Sequence, residues 1–176
     1  VQCLDAGEEV VDAMRSLSAV LVGGAAISQH LLERALNAGL KVRITYGMTE
    51  TSGGCVYDGE PMPGMTVRAV DWDGRTRLAF NGPTLMTRYL DAESPFFEEG
   101  GHRWLISGDM GVIRASGKVE VNGRADDVIT SGGLSIAPGP LRRAVRSYEG
   151  ISDAWIMGTP DEKWGQIVTA LVVPNQ

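Results

Sequence analysis

One carboxylate set between two hydroxyls, Thr49-Glu50-Thr51, is the most chemically pointed stretch of this sequence. It lies in RITYGMTETSGGCVYDG (Arg43–Gly59), where a strand-like run leads in and the glycine pair Gly53-Gly54 leads out. Such a group suits Mg²⁺ and phosphate oxygens, because a hard cation takes oxygen ligands and keeps several waters. A turn whose hydroxyls satisfy backbone groups would use the same residues. Gly23-Gly24-Ala25 would let a ligand approach the backbone, or simply close a turn after a strand. Asp109, in SGDMG, could accept both hydroxyls of a ribose or form an Asx-type turn. Arg124, in GRADD, could pair with a phosphate or ribose, or make a surface ion pair with Asp126 or Asp127. Trp164 could stack on a ligand or cap a core. His30 and His102 lack any mutual spacing for a metal or a proton relay and read as surface or capping residues.

Strands and turns must present these groups. Glu8–Leu17 has a helical pattern and Ala19–Gly24 reads as a short buried strand. Ser28 is placed to cap a helix carrying Leu31, Leu32, Ala35 and Leu36 on one face. Lys41–Gly47 is the next strand, so the order predicts a βαβ unit with a parallel sheet. Ligands collect beyond the carboxyl ends of such strands, where Gly23-Gly24 and Tyr46-Gly47 are expected. From Thr66 to Asn122 the pattern changes to short strands, with turns at Asp73-Gly74 and Ser116-Gly117 predicting an antiparallel or barrel-like part. Asp109 is expected after a short strand there. Gly123–Pro140, rich in Gly, Ser and Pro, predicts a domain boundary. A helix carrying Leu141, Ala144, Val145 and Tyr148 and two further strands follow.

The 176 residues suffice for one ordinary domain, or one domain and part of another, and 43% hydrophobic with 22% charged residues predicts a globular chain. A net charge of −6 argues against a phosphate-tracking nucleic-acid surface. No apolar run is long enough for a membrane helix. Cys3 and Cys55 are isolated, and no signal-peptide pattern is present, so a reducing cytoplasm is expected. Both chain ends read as interrupted mid-domain sequence, and the segment is expected to belong to something longer.

Taken in order, GGAAIS, YGMTETSGG, GPTLMTRY, SGDMG, GRADDVITSGG and DEKWGQIVTALVVP resemble the adenylate-forming acyl-CoA synthetase superfamily over nearly the whole chain. The resemblance implies an α/β and α+β organisation. Residues 1–125 would be the C-terminal portion of the large AMP-binding domain, a βαβ sheet plus a β-barrel-like subdomain. Residues 126–176 would be part of the small C-terminal α+β domain, with Asp126 as the hinge. ATP, Mg²⁺ and CoA are the implied cofactor and co-substrates, and a small carboxylic acid is the substrate; a homo-oligomer is compatible with this.

By the same resemblance, Tyr46 would flank the adenine, Thr49 would contact the α-phosphate and Glu50 would hold Mg²⁺, the last two being the catalytic pair. Gly23, Gly24, Ala25 and Gly47 would line the nucleotide, Asp109 would bind the ribose hydroxyls, and Arg124 the ribose or phosphate. Gly133 and Trp164 would line the route for CoA. TETSGGCVYDGEPMPG and DDVITSGGLSIAP look like the compact o-succinylbenzoate–CoA ligases of menaquinone biosynthesis, with Gly53, Gly54, Cys55 and Val56 in the acyl pocket wall. A medium-chain or aryl acid–CoA ligase is the alternative within the class. A non-catalytic nucleotide-binding module and a purely structural or partner-binding domain are the alternatives outside it. Two departures stand out. The family's lysine-bearing phosphate loop would precede Val1, and its C-terminal catalytic lysine would follow Gln176.

Overall fold

The computed structural model describes residues 2–93 and 95–175. Two short helices, α1 (Gln2–Asp5) and α2 (Glu8–Arg15), lead into strand β1 (Val20–Val22), helix α3 (Gln29–Asn37) and strand β2 (Val42–Met48). Helix α3 begins where extended Ser28 turns its Oγ back to accept the Leu31 N–H at 3.1 Å. Its buried face is Ala35, which packs with Val11 and Leu40, while Leu36, expected on that face, is exposed. Replacing Ser28 by alanine should cost about 1 kcal/mol of stability, the usual worth of such a cap, read as a lowered midpoint in chemical denaturation.

Strands β1 and β2 pair in parallel across α3, from Val20 opposite Val42 to Val22 opposite Ile44, so the expected βαβ unit is present. Strand β2 then changes partner. Its second half, Thr45–Met48, runs antiparallel to β3 (Gly53–Tyr57), which continues to the short β4 (Glu60–Pro61). Tyr46 and Gly47 therefore lie inside β2, not beyond its end, because the second pairing extends the strand past the point where β1 stops.

The following part is antiparallel throughout: β5 (Thr66–Trp72), β6 (Arg75–Asn81), β7 (Phe96–Glu99), β8 (His102–Ile113) and β9 (Val119–Arg124). The β5–β6 turn, Asp73-Gly74, has φ of 53° and 70°, the two left-handed residues of a tight I′ hairpin. Strand β8 is the spine. It pairs with β6 along one edge and with β7 and then β9 along the other, an open path among the described strands. Leu78, Phe80 and Leu105 of this sheet meet Cys55, Val56, Met65 and Val119 in the main core. Leu78 and Phe80 are fully enclosed, and burying side chains of that size stabilises the fold by about 1.5–3 kcal/mol each.

The last part contains the β10 (Ile129–Ser131) and β11 (Leu134–Ile136) hairpin, helix α4 (Pro138–Arg146), and the hairpin of β12 (Ile151–Asp161) with β13 (Gly165–Pro174). Helix α4 starts inside the stretch expected to be linker, because Pro138 at its first position supplies a helical φ without a needed N–H. It also ends at Arg146, so Tyr148 stands beyond it and exposed rather than on its apolar face. Arg143 ties α4 to β9 through Glu120 Oε1 at 2.7 Å and Asn122 Oδ1 at 3.0 Å.

Candidate active site

The Thr49–Thr51 segment is a single 3₁₀ turn joined to the end of β2. Its two threonines do different things. Thr51 is buried; its hydroxyl accepts the Met48 N–H at 3.0 Å and lies within donating distance of the Met48 and Gly53 carbonyls. It takes the backbone-satisfying role. Thr49 is exposed and lines a cleft of about 530 Å³ with Gly23, Gly24, Thr45, Gly47, Met48, Gly53 and Gly54.

Glycine is required on the cleft wall for a steric reason. A Cβ on Gly47 would fall 1.9 Å from the Gly53 carbonyl oxygen, and one on Gly54 would fall 2.4 Å from Thr45 Oγ1. Gly23 is similarly pressed on Thr45, at 2.6 Å from its carbonyl oxygen. These bare backbones bring β1, β2 and β3 together and leave the cleft's wall made of peptide groups. Ala25 is exposed beside this wall, outside the lining. Cys55 and Val56 do not line the cleft either. The β2–β3 register shifts at Cys55, between the Tyr46–Val56 and Gly47–Gly54 pairs, and this bulge lets Cys55 join Val56 in the main core, where burial pushes its thiol up from the usual range.

A second cavity of about 260 Å³ lies on the other side of the turn, lined by Met48, Glu50, Arg77, Tyr89, Asp109 and Arg124 among others. Asp109 is in the middle of the long β8, not after a short strand, since β9 extends the pairing through Ile113. Ser107 Oγ donates to the Leu78 carbonyl at 2.8 Å and accepts the Asp109 N–H at 3.1 Å. The Asp109 carboxylate accepts the Tyr46 phenol on Oδ2 at 2.6 Å, a contact spanning 63 residues. Neither residue's sequence context points to the other. The Tyr46 ring stacks on Phe80 at 5.9 Å, so it is partly taken up by the core.

Arg124 is opposite Asp109 in the β8–β9 ladder, and its Nη1 lies 4.0 Å from Asp109 Oδ1. A Cβ on Gly108 would meet the Arg124 guanidinium at 2.8 Å, so glycine there lets the arginine lie across the strand. Asp126 Oδ2 accepts from Arg124 Nη2 at 3.2 Å; that bond, ahead of the charge of Asp109, raises the guanidinium's pKa. The surface ion pair with Asp126 is thus present, and the Arg124 side chain is well exposed beside Asp109.

Burial first, then the hydrogen bond to Asp109, pushes the Tyr46 phenol well above the ordinary tyrosine range. The unfolded chain releases that proton near pH ~10, whereas the folded one retains it. Stability is therefore fully present below pH ~10 and falls as pH rises above it, by up to about 1.4 kcal/mol per pH unit for one proton. Denaturation curves on either side of pH ~10 should show Tyr46→Phe losing that part of the slope; identical slopes would count against it.

In the last part Trp164 packs on Gly132, the neighbour of Gly133, and not on Gly133 itself. The Gly132 N–H donates to the Trp164 carbonyl at 3.0 Å, and the indole covers Gly132, where a Cβ would fall 2.6 Å from the ring. Trp164 is about half exposed, and Gly133, at φ 82°, has open space where a Cβ would be. No group of three or more His, Cys, Asp or Glu that could hold a metal by itself occurs among the described residues. One carboxylate beside a free hydroxyl nevertheless fits Mg²⁺, which is commonly bound through one or two carboxylates together with substrate phosphates. Glu50 is that carboxylate. Two participants escaped the sequence reading: Tyr89, whose phenol donates to Glu50 Oε1, and Arg77 on β6. Tyr89 lies in GPTLMTRY, a stretch without periodicity, and an aromatic in such a loop was the available signal.

A family model described as AMP-binding enzyme matches residues 2–90, just over half of the chain. A Mycobacterium tuberculosis protein named "Probable 2-succinylbenzoate–CoA ligase" is 39% identical over 165 residues, covering 92% of this chain and 42% of that protein. The chain thus spans less than half the length of the curated relatives it matches. The solved o-succinylbenzoate CoA synthetase of Bacillus subtilis, in complex with the acyl-adenylate intermediate, superposes with a TM-score of 0.75 at 26% identity, covering 96% of this chain and 40% of that one. The same enzyme in complex with ATP and magnesium ion gives 0.71 at 25% identity, covering 96% and 41%.

Proposed function

From the premise that this chain belongs to the AMP-binding enzyme family, we propose that it is part of an ATP-dependent acid–CoA ligase acting on 2-succinylbenzoate. The observation that carries the reading is the meeting of Glu50, Asp109 and Arg124 around one cavity, next to the glycine-walled cleft. Those groups match a nucleotide from end to end. Asp109, oriented by Tyr46, would take the ribose hydroxyls, and Thr49 the α-phosphate. Glu50 would hold Mg²⁺, which when bound neutralises phosphate charge. Arg124 would take ribose or phosphate oxygens.

In the first half-reaction a carboxylate oxygen of the acid bonds to the α-phosphorus as pyrophosphate leaves. In the second, the CoA thiolate bonds to the acyl carbon as AMP leaves. This chain contributes positioning and charge complementarity to the first step, effects that carry most of the catalysis in transfers of this type. The peptide-walled cleft at Gly53 and Gly54 would admit a flat aromatic acid, and Gly133 with Trp164 would edge the path of CoA. Residues 1–125 would then belong to the large domain and 126–176 to the small one, with Asp126 between them. The two free thiols, Cys3 and Cys55, favour a reducing cytoplasm for this chemistry. Among the described residues no helix is long and apolar enough to cross a membrane.

Calorimetry of the full-length protein with the acyl-adenylate analogue of 2-succinylbenzoate is the test, alongside pyrophosphate exchange with that acid and with other aryl acids. Tight binding with exchange on 2-succinylbenzoate is expected. Exchange on another acid alone would reassign the substrate. Binding of AMP without exchange on any acid would indicate a non-catalytic nucleotide module.

A further inference from the structure

We propose that Tyr89 is a positioning residue for the Glu50 carboxylate, holding one oxygen so that the other faces the bound nucleotide's cation; this rests on the ligase reading above. Tyr89 lies within the β6–β7 loop, which is fastened across the Thr49–Thr51 turn at three points. The Met86 N–H donates to the Glu50 carbonyl at 2.8 Å, Ser52 Oγ donates to the Thr84 carbonyl at 2.9 Å, and the Tyr89 phenol donates to Glu50 Oε1. The loop is in turn held from behind. Arg103 on β8 donates to the Met86 carbonyl at 3.3 Å and to the Thr87 carbonyl, and its guanidinium lies 3.4 Å over the Phe96 ring. Backbone and side chain of Glu50 are therefore both gripped by one loop, itself clamped to the long strand that carries Asp109.

The physical argument is one of preorganisation. A free glutamate gives up substantial rotamer freedom when its carboxylate is fixed on a ligand. A phenol already bonded to one oxygen removes part of that loss before the ligand arrives. Mg²⁺ demands near-ideal octahedral geometry, so a swinging carboxylate is a poor partner for it. Partners that orient a metal ligand typically change metal affinity by about 10–100-fold.

The test is titration of ATP into the full-length protein over a series of Mg²⁺ concentrations, with AMP titrated without metal as the internal control. For Tyr89→Phe the Mg²⁺ concentration giving half-maximal ATP affinity should rise about tenfold, with AMP binding unchanged. In a Glu50→Gln background the same substitution should cause no further loss. An unchanged Mg²⁺ dependence in a folded Tyr89→Phe variant would overturn the proposal. So would equal losses for ATP and AMP, which would mark a merely structural tyrosine. If the unsubstituted protein bound neither nucleotide, the ligase reading would fall together with this one, so the two failures are distinguishable.

Discussion

Asp109→Ala should weaken ATP and AMP binding to the full-length protein by about 2–4 kcal/mol, the worth of a pair of charge-assisted hydrogen bonds in a partly enclosed site. The geometry accounts for so large an effect from one side chain. Tyr46 orients the carboxylate through Oδ2, Ser107 fixes the backbone amide behind it, and little of its surface is in water. A carboxylate held this way would give up little rotamer freedom on binding a ribose. Alanine removes the acceptor and leaves the Tyr46 phenol without its partner, an added cost that falls on folding. The conservative Asp109→Asn variant separates the two effects, since it retains an oxygen for Tyr46 while removing the charge. Nucleotide affinity by calorimetry, with thermal unfolding as the check on the fold, decides the matter. Unchanged affinity in a folded variant would sink the assignment of Asp109 to the ribose.

Asp126→Pro should leave one half-reaction largely intact and slow the other on the order of a hundredfold, the loss that small misplacements of reacting groups produce. The chain is anchored right up to the preceding residue. Ala125 is fully buried, its N–H donates to the Gly108 carbonyl at 2.8 Å, and its carbonyl accepts from Arg75 at 2.6 Å. Asp126 itself is exposed, and among the described residues its carboxylate is held by Arg124 alone, so a change of chain direction would begin there. A hinge absorbs its rotation in the φ and ψ of a few residues, and proline fixes φ near −65°. Pyrophosphate exchange measured beside single-turnover transfer of preformed acyl-adenylate to CoA should show adenylation spared and thioester formation lost. Equal losses in both rates, with the fold intact, would leave Asp126 as an ordinary ion-pair residue.

The elements legible in the sequence were those with local signatures. Ser28 capped a helix because its hydroxyl and the following apolar spacing act within one turn, and Asp73-Gly74 made a hairpin because left-handed φ values are a property of those two residues. What the sequence concealed was set by partners far along the chain. Asp109 looked like a residue after a short strand because β9, which prolongs β8 past it, is recognisable only once paired. Cys55 looked like cleft wall because of its neighbours Gly53 and Gly54, yet a bulge against β2, visible only once the strands are paired, buries it in the core with Val56. The Tyr46–Asp109 and Tyr89–Glu50 bonds join residues 63 and 39 positions apart, and no local pattern encodes a contact of that span.

Strand β8 is paired in turn with β7, β6 and β9 along its length, and on both edges at Leu105 and Met110, so its ladders break only when several strands part together. Local opening is costly in such a unit. Both carboxylates of the proposed nucleotide site are tied to it, Asp109 directly and Glu50 through the loop that Arg103 holds. The two would therefore keep their spacing under thermal agitation until the strand itself gives way. A ligand whose sugar is constant while its phosphate end changes from triphosphate to adenylate would meet the same fixed interval between its two anchors in both states.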